Sequence, residues 1–176
     1  EPVSLSIVSS VFGFPNPVNE VAARVVAGCV VLLCAATLVM SLGFGDRWLW
    51  LTVPLAYGFL ARLAPGPRLS AFGQFATRLA APRIGHAKLV PGPPKRFAQG
   101  MGATMSVAAL VLHFGFGLDT AALVFVGLIL VAATLESVFA LCLGCQAFAV
   151  LMRAGIIPED VCAECNDISL RLRQPA

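Results

Sequence analysis

Six cysteines are the residues of this chain best suited to chemistry, and four of them form two C-x-x-C pairs. The first pair is Cys142 and Cys145, and the second is Cys162 and Cys165. Sixteen residues separate the pairs, a spacing within the range that is typical of zinc sites. Four thiolates form the soft tetrahedral ligand set that zinc or an iron–sulfur cluster prefers. The same pairs are also suited to thiol redox chemistry.

The segment between the two cysteine pairs predicts that the pairs lie close together in the fold. Gly155 is typical of a residue that ends a helix. Cys145 lies ten residues before Gly155 and Cys165 ten residues after it, so an antiparallel hairpin would bring them to a similar height. Within each pair the i, i+3 spacing places both sulfurs on one helix face. We therefore expect Cys145 and Cys165 to approach closely, with Cys142 and Cys162 beside them.

Three interpretations of these cysteines stay open. They bind a structural zinc ion or iron–sulfur cluster, they are redox dithiols without a cofactor, or they are inert. A helix N-terminus lowers the pKa of a thiol. Cys162 and Cys165 would lie in the first turns of a tail helix, whereas Cys142 and Cys145 would lie late in a long helix and lack that effect.

Glu136 is the acidic residue placed well inside an apolar stretch, and ionisable residues at membrane depth are functional candidates. It is a candidate proton donor or acceptor for thiol chemistry. The alternative is a protonated or paired carboxyl that holds helices together. Because Glu136 precedes Cys145 by nine residues, about half a helical rotation, direct contact would need a bend.

The remaining candidate side chains favour structural interpretations. Cys29 and Cys34 are expected to be small buried hydrophobes, with Cys29 the better candidate for a third thiol partner. His113 is expected near the opposite end of the membrane from the cysteine pairs, hydrogen-bonded at the interface, where it cannot complete a metal site with them.

Composition indicates a membrane protein. The chain has 176 residues, of which 59% are hydrophobic and 12% charged, and its mean hydropathy is +0.88. Soluble domains carry roughly 25% charged residues. In a bilayer only helices and closed barrels satisfy the backbone, and the long continuous apolar stretches favour helices. The basic residues form no aromatic-interleaved patch, which argues against nucleic-acid binding.

We predict an all-α membrane protein: a four-transmembrane-helix bundle with an amphipathic surface helix and a short cytoplasmic C-terminal helix. A transmembrane domain covers residues 1–155, and a cytoplasmic cysteine-containing tail covers 156–176. Asn19 is expected to cap the first span. The helix that starts near Asp119 is expected to continue unbroken to about Arg153, roughly 50 Å, beyond a hydrocarbon core of roughly 30 Å. The expected spans are 19–42, 48–63, 97–116 and 120–141.

The segment between the second and third spans predicts two features. An apolar set at helical spacing indicates a helix that lies on the membrane surface, with Gln74 and Arg78 on its other side; the set is Leu69, Phe72, Phe75 and Leu79. The run at 91–96, Pro-Gly-Pro-Pro-Lys-Arg, favours a rigid solvated linker over a specific docking site.

Basic residues set the expected orientation. The central loop and its flanks contain seven of them and no acid, so the positive-inside rule places this loop in the cytoplasm; they are Arg62, Arg68, Arg78, Arg83, Lys88, Lys95 and Arg96. With four spans, both termini are then cytoplasmic in a multi-pass protein of the inner (plasma) membrane. A permanent disulfide is not expected in that reducing compartment.

Three sequence blocks resemble a known family. They are residues 14–24 (FPNPVNEVAAR), residues 91–100 (PGPPKRFAQG) and residues 142–145 (CLGC). In this order they resemble the bacterial membrane family called domain of unknown function 4395, over nearly the whole chain. Some members are neighbours of, or fused to, thioredoxin-like or sulfurtransferase domains. The resemblance therefore implies thiol or sulfur chemistry and a partner of that kind.

Our leading hypothesis is a membrane-embedded thiol-redox or sulfur-relay protein that uses its C-x-x-C pairs at the cytoplasmic face. Whether it is an enzyme stays open. The alternative is a non-catalytic accessory subunit of a larger membrane complex, with a structural four-cysteine zinc or iron–sulfur site. A transporter is disfavoured because only Glu136 and His113 mark a polar path.

Overall fold

The structure, a computed structural model, describes residues 16–63, 70–84 and 89–162. These residues are almost entirely helical, which confirms the all-α class. The helices are α1 (Glu20–Phe44), a 3₁₀ segment (Asp46–Leu51), α2 (Thr52–Leu63), α3 (Ala71–Phe75, a π turn Ala76–Ala80, and Ala81–Ile84), α4 (Gly92–Leu110, continued by a π turn Val111–Gly115), α5 (Asp119–Phe139), α6 (Leu143–Arg153) and a 3₁₀ turn (Glu159–Cys162). Two short strands, β1 (Val18–Asn19) and β2 (Leu89–Val90), pair antiparallel.

Helix α1 begins where the sequence predicted. The Asn19 side chain accepts hydrogen bonds from the backbone N–H groups of Val21 (2.9 Å) and Ala22 (3.5 Å). It thereby satisfies donors that have no partner within the helix. The asparagine amide therefore fixes both the start of α1 and its junction with β1.

Polar side chains connect four helix ends at one end of the bundle, called here the thiol end. Arg24 at the start of α1 donates to the carbonyls of Ser137 (3.0 Å) and Val138 (3.1 Å) at the end of α5. Arg62, at the end of α2, donates from Nε to Gln99 Oε1 near the start of α4 (3.0 Å). The four helices therefore alternate in direction.

Between the two ends, the core consists of small and branched apolar side chains. Val30, Cys34, Leu55, Val126 and Ile129 are buried in one cluster. Gly102 of α4 leaves room for a side chain of α2: a Cβ there would lie 2.2 Å from the Phe59 ring. An aromatic ring of α2 therefore packs directly on the α4 backbone at Gly102, a use of small residues that is typical of membrane bundles.

Among the described residues, three helices are long and apolar enough to cross a membrane. They are Glu20–Phe44, Gly92–Gly115 and Asp119–Phe139, with mean hydropathies of 2.6, 1.3 and 2.3. Large apolar side chains on their outer surfaces, such as Leu32 and Val131, are exposed, as expected for contact with lipid. The predicted second span differs, because its α-helix begins only at Thr52 and is 12 residues long.

The prediction of one unbroken helix from Asp119 to Arg153 was wrong. Helix α5 ends at Phe139, and Ala140 adopts a left-handed conformation with φ +56°. The N–H groups of Ala140 and Leu141 both donate to the Leu135 carbonyl, which closes α5 without a glycine. Helix α6 then starts at Leu143. This interruption separates the first cysteine pair from the apolar span.

The prediction of a solvated linker at 91–96 was also wrong. Helix α4 begins at Gly92, so Pro93 and Pro94 lie in its first turn. Proline is well suited to this position because the first helical N–H groups have no intrahelical acceptor. Lys95 is consequently a buried helical residue, 8% exposed.

A helix, α3, occupies the segment for which an amphipathic surface helix was predicted. Phe72 and Ala76 pack against Ala22 and Val26 of α1. Phe75 and Leu79, from the predicted apolar set, instead face outward and are about half exposed. Leu69 lies outside the described residues.

Candidate dithiol site

Cys142 occupies the N-cap of α6, immediately after the break in the helix. Its Sγ accepts a hydrogen bond from the backbone N–H of Cys145 at 3.3 Å. The Cys145 thiol also donates to Cys142 Sγ, and the two sulfurs are 2.7 Å apart. The first C-x-x-C pair is therefore a closely spaced dithiol at a helix N-terminus, where partial positive charge stabilises a thiolate.

The two thiols of this pair have opposite pKa shifts. The hydrogen bond from Cys145 lowers the pKa of Cys142, and Lys95 and the Cys145 N–H act in the same direction, whereas burial and Glu136 oppose them. The same hydrogen bond raises the pKa of Cys145, and its burial adds to the effect. The pair therefore favours a thiolate on Cys142 and a proton on Cys145. The prediction that this pair lacks a helix N-terminus was wrong because α5 breaks before it.

Gly144 allows the dithiol to sit against α4. A Cβ at position 144 would lie 2.5 Å from the Ala98 Cβ and 2.6 Å from its Cα. Real side chains do not approach backbone this closely, so a larger residue would displace the first turn of α6. The glycine between the cysteines thus determines where the dithiol lies relative to α4.

A buried ion pair lies beside the dithiol. Lys95 Nζ of α4 and Glu136 Oε1 of α5 are 2.6 Å apart, and the two side chains are 11% and 19% exposed. Glu136 is therefore a paired carboxyl that joins two helices, one of its two predicted roles. Its role in proton transfer stays a prediction. The sequence analysis did not recognise Lys95 as part of this site. A lysine in the first turn of an apolar helix could have indicated it, because such a lysine can pair with an acidic residue in an apolar stretch.

A cavity of about 250 Å³ extends from the dithiol into the bundle. Its polar end includes Cys142, Glu136, Gln99 and Arg62. Arg62 is 4% exposed; its Nε donates to Gln99, and its Nη1 donates to Ser70 Oγ at 3.1 Å. Its Nη2 is buried and has no hydrogen-bond partner among the described residues. Sequence reasoning counted Arg62 as a basic residue flanking the loop and missed this position.

The second cysteine pair is only partly described. Cys162 is buried against Phe148 and Met152 of α6, so the chain does turn back after Gly155, whose φ is +72°. Cys165 lies outside the described residues, and so does the predicted approach of Cys145 and Cys165. Within the described ranges, no group of three or more His, Cys, Asp or Glu side chains is placed to hold a metal ion.

The other candidate residues lie away from the dithiol. Cys34 is fully buried in the core and Cys29 is partly buried on the same helix. His113 pairs with Asp119 at the opposite end of the bundle. The structure thus brings together Cys142, Cys145 and Glu136, and leaves His113 apart from them.

A family model covers most of the chain. The model described as Domain of unknown function (DUF4395) matches residues 18–153, from the first residue of β1 to the last residue of α6. The chain is a member of the DUF4395 family. Comparisons of this DUF4395 protein with curated proteins and with solved structures give no significant match. The matched range contains the Cys142–Cys145 dithiol and ends before Cys162.

Proposed function

We propose that this DUF4395 protein is a membrane-embedded thiol-redox protein whose reactive group is the Cys142–Cys145 dithiol. One observation carries the proposal: Cys142 caps the N-terminus of α6 and accepts hydrogen bonds from both the backbone and the thiol of Cys145. A low-pKa thiolate beside a protonated thiol is the arrangement that thiol–disulfide exchange uses.

The reaction that we propose is reversible disulfide formation. The Cys142 thiolate attacks one sulfur of a disulfide substrate, and the other sulfur leaves as a thiolate that takes up a proton from solvent. The Cys145 thiol then loses its proton to the second substrate sulfur, attacks Cys142 in the mixed disulfide, and releases that sulfur as a thiol. Two electrons pass from the dithiol to the substrate. In a sulfur relay, Cys142 would instead carry a persulfide received from a sulfurtransferase.

The proposed membrane arrangement has four spans. The 3₁₀ segment Asp46–Leu51 and α2 together extend about 30 Å, at roughly 2.0 and 1.5 Å per residue, and so match the hydrocarbon core. Arg78, Arg83 and Arg96 are exposed near the thiol end. The positive-inside rule then favours a cytoplasmic thiol end in the inner membrane, with both termini on that side and α3 on the membrane surface.

The proposed partner is a soluble thioredoxin-like or sulfurtransferase protein on the same side. Cys145 is more accessible than Cys142, because Cys142 is 8% exposed while Cys145 is only partly buried. When the oxidised Cys142–Cys145 pair is reduced again by a second, different soluble thiol, that thiol would therefore reach the Cys145 sulfur first. This direction of attack leaves the Cys142 thiolate as the leaving group, which its low pKa favours.

A redox titration in lipid nanodiscs tests the proposal. The protein is equilibrated in glutathione buffers, free thiols are alkylated, and each cysteine is quantified by mass spectrometry. We expect Cys142 and Cys145 to oxidise together as one two-electron couple, while Cys34, buried in α1, and Cys29, partly buried in the same helix, stay reduced. Persistence of both thiols under oxidising conditions would contradict the proposal.

The same samples test the alternative of an accessory subunit with a structural metal site. Metal analysis that finds one zinc ion or iron–sulfur cluster per chain, with Cys142, Cys145, Cys162 and Cys165 all protected from alkylation, would support that alternative. Metal-free protein with a titratable Cys142–Cys145 couple supports the dithiol.

A further inference from the structure

The cavity behind the dithiol has the chemistry of a ligand site. Its walls away from the polar end are apolar, with Val30, Met105, Leu128 and Ile129 among them. Along α5 the lining extends from Glu136 to Leu128, eight residue steps or about 12 Å along the helix. An elongated apolar space with polar groups at one end fits a molecule with a polar head and an apolar body.

An unpaired donor on Arg62, one of the residues that line this cavity, indicates the head of that molecule. Arg62 is almost fully buried, yet its Nη2 hydrogen atoms have no acceptor within the described part of the chain. A buried guanidinium N–H without a partner is costly, because desolvation is not compensated. Arginine has only donors, so the missing group is an acceptor such as a carbonyl oxygen.

The size and surroundings of the cavity indicate where the body of the ligand lies. Sites for drug-sized ligands are roughly 300–1,000 Å³, so about 250 Å³ fits a ring-sized head rather than a whole lipid. Met101 and Met105 line both this cavity and a larger apolar groove of about 1,120 Å³ on the α2–α4 side. Methionine side chains are flexible, so Met101 and Met105 can move aside and let an apolar tail pass from the cavity to the groove.

The dithiol lies at the polar end of the same cavity. Cys142 lines it, whereas Cys145 does not. The residue that favours the thiolate therefore borders the cavity inside the bundle. An oxidant that enters from the bilayer reaches Cys142 without passing through water.

We infer that the cavity binds a membrane quinone, whose carbonyl oxygen accepts a hydrogen bond from Arg62 Nη2 and whose ring receives the two electrons of the Cys142–Cys145 dithiol. This inference rests on the proposed dithiol function. The Cys142 thiolate and the Cys145 thiol form one S–S bond. The quinone gains two electrons, one proton from Cys145 and one from solvent, and leaves as the hydroquinone.

Single-turnover reduction of decyl-ubiquinone tests the inference. Its ring is fully substituted, which disfavours stable thiol addition. Protein in nanodiscs is pre-reduced, freed of reductant and mixed with increasing quinone concentrations. We expect one hydroquinone and one Cys142–Cys145 disulfide per chain, with a rate that saturates. Cys142→Ser is expected to abolish reduction.

Two cavity variants test binding separately from thiol chemistry. Arg62→Gln is expected to raise the half-saturating quinone concentration by about tenfold or more, because a charged hydrogen bond is lost. Because Arg62→Gln also alters contacts with Gln99 and Ser70, Ala133→Leu provides a second variant that fills the cavity without removing a polar group. Arg78→Gln, an exposed change on α3, is the matched control and is expected to leave the rate unchanged.

The outcomes separate the two proposals. If the glutathione titration yields a Cys142–Cys145 couple but decyl-ubiquinone is not reduced, or is reduced equally by the Arg62→Gln and Ala133→Leu variants, the quinone inference is overturned and the dithiol stands. If neither glutathione nor quinone oxidises the pair, the dithiol function fails, and the quinone inference fails with it.

Discussion

The two ends of the bundle use polar groups in different ways. At the thiol end, Lys95–Glu136, Arg62–Gln99 and the Arg24 contacts each join residues of different helices. At the opposite end, His113 pairs with Asp119 only six residues away, and Trp50 stacks edge-on against Phe114 with centroids 4.8 Å apart. One end is held by long-range polar contacts, and the other by local and aromatic contacts.

This difference shows where the fold can support chemistry. A reactive thiolate in a membrane protein needs nearby donors and positive charge that stay in place, because bulk water does not stabilise it there. The contacts between helices at the thiol end provide fixed groups around Cys142. The opposite end has the composition of a membrane interface, where aromatic rings and a half-buried ion pair are adequate.

Breaking the ion pair at the thiol end is expected to have the largest effect. Lys95→Met leaves Glu136 unpaired and should destabilise the protein by about 3–5 kcal/mol. The double variant Lys95→Met/Glu136→Gln removes both charges and should recover most of that loss. Thermal unfolding in detergent measures both. A double variant as unstable as the single one would contradict this description of the pair.

Adding a methyl group where α6 packs on α4 behind the dithiol is expected to have an intermediate effect on stability. Gly144→Ala places a methyl group against Ala98 and should cost about 1–3 kcal/mol through overpacking. Gly127→Ala in α5 is the matched control, because a Cβ there meets nothing within 4 Å. It should leave stability unchanged or raise it by up to about 1 kcal/mol. Equal effects of the two variants would show that α6 is not packed tightly on α4.

The smallest loss of stability is expected from a change at the opposite end of the bundle. Asp119→Asn removes the charge that faces His113, but the Asp119 side chain is 31% exposed. The expected loss of stability is below about 1 kcal/mol. The same unfolding assay applies, and a loss as large as that of Lys95→Met would show that the two ends do not differ in this way.

The sequence predicted the elements that depend on local chemistry. Asn19 caps α1 because an amide side chain before an apolar helix satisfies free N–H groups. Gly155 turns the chain because it readily adopts positive φ. The long apolar runs of α1, α4 and α5 identified membrane-length helices for the same local reason.

The site depended on contacts that are distant in sequence. The break at Ala140 carries no glycine or proline, so nothing local indicates it; it coincides with the close approach of Gly144 to Ala98. From the sequence, Lys95 and Arg62 resembled solvated charges of a loop. Tertiary packing instead places them beside Glu136 and Gln99. The cysteine pair was identified from its spacing, but its position at a helix N-terminus was not.

The pH dependence of alkylation at Cys142 and Cys145 measures directly which of the two sulfurs holds the thiolate. Protein in nanodiscs is treated briefly with iodoacetamide across a pH series, and modification of each cysteine is quantified by tandem mass spectrometry. We expect a Cys142 profile with its midpoint below the ordinary thiol pKa of about 8.5 and a Cys145 profile shifted above it. Modification of Cys142 is lost as the pH falls through its lowered pKa. Equal midpoints, or a lower midpoint for the more accessible Cys145, would contradict a thiolate held at Cys142.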